Sequence, residues 1–296
     1  MILNFFLFEI TSFNYHDSIV RKTAIVKLSG GLGNQLFQYS FAKELHTKGF
    51  NVFIDTSFFE KPIKNELIDY RVLEIPPIEL GFKKYNLIQK MLIDSYNNLN
   101  FIPKKLIPIN SVTERNILNN KFKSLNYFTG FWQDIEVIYR QKIFLLNYFE
   151  KISGKSLQTK KNYHKTLFHI RRGDYINIGE NLSINFYKKA LSYCKENIQN
   201  FKYDVFTDDI DWVKKESIFN EADNLFSADK AYNNTLETFI NMIGYGNYVV
   251  GNSTFSLIPA ILSEDETTKI VIAEPWFRNK TKDLNFGSKY IKIKNV

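Results

Sequence analysis

From Thr166 onward, short apolar runs alternate with amphipathic stretches at a regular beat. "TLFHI" precedes "FYKKALSYCKENI", "YDVFT" precedes a helical pattern from Asp209, and "NLFS" precedes "TLETFINMIGY". "YVVG" then precedes "TFSLIPAIL", and "KIVIA" follows. Unbroken apolar runs of this length suit strands buried on both faces, as in a parallel sheet. Strand–helix alternation of this kind commits a chain to a doubly wound α/β fold. The same grammar opens the chain. "TAIVKL" (Thr23–Leu28) reads as a buried strand, and "SGGLGNQ" as a glycine-rich turn. A helix follows, with apolar positions at 36, 37, 41, 42 and 45 and a stop at Gly49. "FNVFID" (Phe50–Asp55) is the next strand.

The stretch from about 60 to 125 is less regular, with breaks at "PP" (76–77) and "IPKKLIPIN" and a helix expected around 84–98. "LNYFTGFWQD" (125–134) reads as a strand ending in an aromatic-rich loop, with one helix from about 135 to 149. Residues 151–164, "KISGKSLQTKKNYH", are polar and basic, which marks a domain boundary. The expected plan is an extension at 1–22, an α/β domain at 23–155 and a second Rossmann-like domain at 156–296, facing each other across a cleft.

The chain has 296 residues, 44% of them hydrophobic, enough for one large or two medium cores and too many for wholesale disorder. The formal charge of +8 suits anionic partners: nucleotides, phosphosugars, anionic lipid surfaces or nucleic acid. A lone cysteine, Cys194, excludes an intrachain disulfide framework and a cysteine-rich zinc site, and fits a reducing cytoplasm. The start, "MILNFFLFEITSF", is too short to span a bilayer, is interrupted by Glu9 and lacks the basic start of a signal peptide. It reads either as a start assigned too far upstream or as a weak membrane-surface anchor.

Four clusters carry candidate chemistry. Gly31-Leu32-Gly33 follows a strand, but Leu36 stands where a dinucleotide fingerprint needs its third glycine. A tight strand–helix turn explains the glycines. Asn34 and Gln35, at a helix N-terminus, fit a sugar or phosphate contact. In "HIRRGDY", His169, Arg171, Arg172 and Asp174 lie where a strand meets a loop, the place where parallel sheets bind ligands. A guanidinium grips phosphate through a planar fork. Adjacent residues leaving a strand point to opposite sides. One arginine can thus face a ligand while the other is tied back, with Asp174 as its partner. The bland alternative is a surface Arg–Asp pair. "VFTDDIDW" offers Asp208, Asp209 and Asp211, as a divalent-metal motif, as a guanine-binding carboxylate beside a helix cap, or as caps alone. Since a metal would duplicate the arginines, base recognition is preferred. "GNSTFS" sets Ser253, Thr254 and Ser256 at a helix N-terminus, an anion site or a simple cap.

In order and combination, "KLSGGLGNQLFQYSFAKEL", "GFWQD", "HIRRGDY", "VFTDD", "NSTFS" and "PWF" resemble the α-1,2-fucosyltransferases of glycosyltransferase family 11, over residues 24–278. The resemblance implies a GT-B-type fold, an inverting reaction and GDP-fucose as co-substrate. It also implies no metal or other cofactor, and a galactose-containing glycan acceptor. Residue by residue, it implies that Arg171 contacts the donor diphosphate and that His169 and Asp208 help recognise guanosine. Arg172 and Asp174 hold the loop, Ser253, Thr254 and Ser256 line the phosphate side, and Gly31, Gly33, Asn34 and Gln35 face the cleft. The family often carries a Trp pair after "NSTFS"; Leu257 and Ile258 stand here, which is expected to alter helix packing and the pocket edge. For the general base, Glu180 and Asp55 compete. A lipid-linked acceptor suits a cytoplasmic enzyme with at most peripheral membrane contact. The competing classes are a transferase of another nucleotide sugar and a nucleic-acid-binding protein. The scattered lysines disfavour the second.

Overall fold

A computed structural model describes residues 21–60, 71–98, 107–158, 162–227, 235–278 and 284–295. The extension expected at 1–22 lies outside these residues, Arg21 and Lys22 apart. The chain divides into two compact units, one running to Gln141 and one beginning at Lys142.

In the first unit, β1 (Thr23–Lys27) leads into α1 (Leu32–Thr47) and β2 (Asn51–Asp55). After it come β3 (Lys83–Lys84), α2 (Leu87–Asn98), β4 (Asn110–Thr113), β5 (Leu125–Thr129) and α3 (Ile135–Arg140). The strands form one parallel sheet in the order β3-β2-β1-β5-β4. The order reverses at β1, so the switch point lies between β1 and β5. Helix α1 is buried nearly all round, including Gln35, Gln38, Ser40 and Glu44. The helix expected over 135–149 is broken at Gln141. There the Gln141 amide donates to Glu44 Oε1 at 2.5 Å, and Arg140 pairs with the same carboxylate at 3.2 Å. Strands β3 and β4, short and polar, carry no apolar run by which the sequence would announce them.

The second unit holds α4 (Lys142–Ser153), β6 (Asn162–Ile170), α5 (Gly173–Ile178), α6 (Ile184–Asn197), β7 (Lys202–Thr207), α7 (Ile210–Lys215) and β8 (Asn224–Ser227). It continues with α8 (Thr235–Asn241), β9 (Tyr245–Gly251), α9 (Thr254–Ser263), β10 (Ile270–Glu274) and β11 (Ile291–Lys294). All six strands are parallel in the order β11-β10-β9-β6-β7-β8, the Rossmann order, with its switch point between β6 and β9. Thr166 to Ile170 are all buried, as a central parallel strand requires. The chain is thus α/β, with two Rossmann-like halves. The break between units falls ahead of α4, whereas composition placed it at 155/156. Helix α4 packs on α8 and α9, with Phe149 against Phe239 at 4.9 Å between ring centroids, so it belongs to the second core.

Candidate functional site

The turn after β6 is built from both arginines. Arg171 is clamped by two carboxylates: Nη2 donates to Asp174 Oδ1 at 2.6 Å, and Nη1 lies 2.7 Å from Asp208 Oδ2 as an ion pair off the hydrogen-bond axis. Burial opposes its charge, but Asp208 and then Asp174 outweigh it and hold the guanidinium pKa above its ordinary value. Arg172 leaves on its own path. Its Nε donates to Asp209 Oδ2 at 3.0 Å, and its guanidinium carbon sits 4.1 Å from the centroid of the Trp212 ring. The tie-back partner expected for Arg172 therefore changes. Because Gly173–Ile178 coils at once into α5, Asp174 comes round to Arg171 at i+3, and Asp209 takes Arg172 instead.

The acidic run is divided among jobs. Asp208 Oδ1 accepts the Arg172 backbone N–H at 2.8 Å, so this carboxylate joins the β7 end to the β6 turn. Asp209 is the N-cap of α7, accepting the Trp212 N–H at 3.1 Å. Asp211 is exposed in the first turn of that helix. Both Asp209 oxygens are thus engaged, one in a cap and one in an ion pair. Among the described residues no cluster of three metal-ligating side chains occurs.

Across the switch point, β9 ends at Gly251 and α9 starts after Ser253, whose side chain makes no capping bond. The first-turn N–H groups of this ten-residue helix end beside the arginine turn's own strand. Thr254 is half-buried there. Ser256 is not on the open side: it is fully buried and its hydroxyl is shared between the carbonyls of Val250 and Ser253, both at 3.2 Å. His169, 5% exposed, packs 5.8 Å from the Phe255 ring, and its Nδ1 finds no hydrogen-bond partner among the described residues. Burial, and then Arg171, press its pKa down to about 3, so it is a neutral imidazole. Leu257 and Ile258 are both fully buried, so the departure at the Trp pair lies in the core and not at a pocket edge.

The glycine turn of the first unit has a different character. Gln35 is fully buried. Its amide donates to the carbonyls of Gly30 at 3.0 Å and Val72 at 2.9 Å, and its oxygen accepts the Glu74 N–H at 3.1 Å. Gln38, which sequence reasoning passed over, does the same for Ser29 and Gly130. Asn34 accepts from Gln133 at 2.7 Å. Gly31 is the helix N-cap and Gly33 lies in the first turn. The glycine that the turn requires is Gly30: its φ is +78°, and a Cβ there would meet Asn34 at 2.7 Å and Phe131 at 3.2 Å. At Gly31 the nearest atom to a Cβ is an Arg71 nitrogen at 3.7 Å, an ordinary contact.

The two candidate bases fall in different units. Glu180 is buried, not solvated. Its Oε2 accepts the Arg278 backbone N–H at 2.9 Å, and its own carbonyl accepts from Asn252 at 2.8 Å. Asp55 is also buried, with Oδ1 accepting the Ser57 N–H and Oδ2 the Tyr127 hydroxyl at 2.7 Å. Burial and Asp55 together push the Tyr127 phenol well above its ordinary pKa, and Tyr85, also beside Asp55, up to about 12. Trp212 and Asn252 are the site residues the sequence reading missed. Trp212 sits inside the quoted "VFTDDIDW", four residues past Asp208, and only the helix begun by Asp209 swings its ring under Arg172.

No described helix is long and apolar enough to cross a membrane. Residues 13–293 match the family model for glycosyl transferase family 11. An alpha-1,2-colitosyltransferase of Escherichia coli is 27% identical over 285 residues, covering 86% of this chain and 93% of that protein. The O-antigen biosynthesis glycosyltransferase WbnK of the same organism is 26% identical over 292 residues, covering 86% and 95%. Among solved structures, an Arabidopsis thaliana FUT1 mutant in complex with GDP aligns at a TM-score of 0.44 and 12% identity, covering 92% of this chain and 74% of that one. The motifs, the two Rossmann-type sheets and a family match running almost end to end converge: the chain is a glycosyltransferase and belongs to glycosyltransferase family 11.

Proposed function

We propose that the chain transfers L-fucose from GDP-β-L-fucose, with inversion and without a metal, to the 2-hydroxyl of a terminal β-galactoside in a glycan. The observation that carries this reading is the placement of Arg171 at the β6/β9 switch point, beside the uncapped start of α9 and the buried neutral His169. The acceptor oxygen attacks the fucose C1 as the bond from C1 to the diphosphate oxygen breaks, and GDP departs with that electron pair. The acceptor proton passes to a carboxylate. Arg171 and the first-turn amides of α9 meet the growing negative charge on the leaving group, where fixed donors act with little reorganisation. His169 and Asp208 flank the guanosine. Glu180, which follows the same short helix that bears Asp174, and Asp55 are the two candidates for that base, and the pH–rate profiles of Glu180→Gln and Asp55→Asn decide between them. The acceptor is a lipid-linked glycan met in the cytoplasm at the inner face of the membrane, where the +8 charge assists contact.

The colitosyltransferase relative supports a second reading, in which the donor is GDP-colitose on the same site. The test offers GDP-fucose, GDP-colitose and GDP-mannose with a panel of β-galactosides, followed by linkage analysis. The expected result is an α-1,2-fucosyl product that survives EDTA. Colitose transfer alone replaces the donor; a product formed only with Mn²⁺ revives the metal role for Asp209 and Asp211.

A further inference from the structure

Arg172 combines two features that do not ordinarily go together. Its side chain is only 17% exposed, yet beyond Asp209 and the Trp212 ring its guanidinium has no protein partner among the described residues. Both terminal amino groups are therefore left with their hydrogens. These N–H groups reach solvent and are open to the acceptor oxygens of a ligand. Its plane is fixed from below. Asp209 takes Nε and, through its other oxygen, the Trp212 N–H, while the Trp212 ring underlies the guanidinium. Trp212 is itself wedged against Tyr187 and Phe219 of the core, at 6.3 and 6.2 Å between ring centroids. The three residues lock the β6 turn to the β7 turn, and an aromatic face is the part of that lock that leaves the terminal N–H groups open. A carboxylate in its place would consume them.

We propose that Trp212 is a positioning residue for nucleotide binding: its ring holds Arg172 so that the terminal N–H groups meet oxygens of the nucleoside diphosphate. This rests on the reading of the second unit as the donor site. A desolvated cation–π contact of this kind corresponds to roughly a tenfold effect on affinity.

The test is calorimetric binding of GDP to the full-length protein and to the variants Trp212→Phe and Trp212→Leu, with donor KM and kcat and thermal unfolding measured alongside. Phe keeps a ring face; Leu keeps apolar bulk without one. The expected result is a loss of GDP affinity of about tenfold for Leu, within about threefold of wild type for Phe, and a KM change that exceeds the kcat change. If Leu does not fold, Trp212→Met, an unbranched filler, takes its place with the same expectation. Equal losses in Phe and Leu, or a Leu variant that binds GDP like wild type, overturn the proposal. Wild-type protein that binds no GDP overturns the donor reading itself, and this inference with it.

Discussion

The two units present the same topological position twice, and the two positions are furnished in opposite ways. At the β1/β5 switch point two glutamines are taken up mainly by the backbone. Gln35 and Gln38 are fully buried, and each holds a pair of loop segments through its amide. The β6/β9 switch point adds charged groups, Arg171 and Arg172, and a buried His169 whose Nδ1 has no hydrogen-bond partner among the described residues. A neutral amide carries two donors and an acceptor, so it can be saturated by main chain alone. A guanidinium's N–H groups can also be met by carbonyls, but its charge, once buried, calls for an anion as well. Residue chemistry, more than strand order, therefore separates a latch from a binding site.

The largest expected effect tests the charged side. Arg171→Lys keeps a cation but loses the planar fork that meets Asp174 and Asp208 and that the proposed function sets against the leaving group. Turnover with GDP-fucose should fall by about 10²–10³-fold while the protein stays folded. Near-wild-type turnover would remove Arg171 from its role and with it the contrast between the two switch points. Next in size is the latch. Gln35→Leu strands the Gly30 and Val72 carbonyls and the Glu74 N–H without their partner, at a cost of about 2–4 kcal/mol in unfolding free energy by denaturant titration. GDP affinity of the folded fraction should be unchanged. A variant of normal stability that no longer binds GDP would make Gln35 a ligand contact after all.

Much of this arrangement was legible in the sequence where one physical rule dominated. The apolar runs gave every strand of the second sheet except β11, whose alternating "IKIK" is half-exposed at the sheet edge. The placement of the arginines at a strand end followed from the same pattern. What stayed hidden depended on where side chains land after the backbone turns. Asp174 pairs with Arg171 and not Arg172 because a one-and-a-half-turn helix starts at Gly173, and nothing in "RRGDYINI" has the length or periodicity to announce it. Ser256 looked like a ligand hydroxyl, but from inside a helix its oxygen bends back to the preceding turn. Gly31 drew notice by its motif position, whereas Gly30 carries the positive φ. Which of two adjacent glycines must turn is set by Asn34 and Phe131 packing above them.

The smallest effect probes the buried imidazole that, among the described residues, the second switch point alone possesses. His169 has its pKa pressed from 6.5 to about 3, chiefly by burial and then by Arg171. In the unfolded chain the ring takes a proton as pH drops through 6.5, while in the folded chain it stays neutral until far lower. The unfolded state thus binds more protons across that window, and stability must rise with pH within it. The contribution is fully present above pH 6.5 and is lost on acidification at up to about 1.4 kcal/mol per pH unit. A His169→Asn variant has no such proton to bind. Its unfolding free energy, followed from pH 7 to 4.5, should fall less steeply than wild type by about that slope, whatever its absolute stability. Parallel slopes would mean that the imidazole already exchanges its proton in the folded protein. His169 would then be an open, solvated group, and the distinction between an engaged switch point and one held ready for a ligand would rest on the arginines alone.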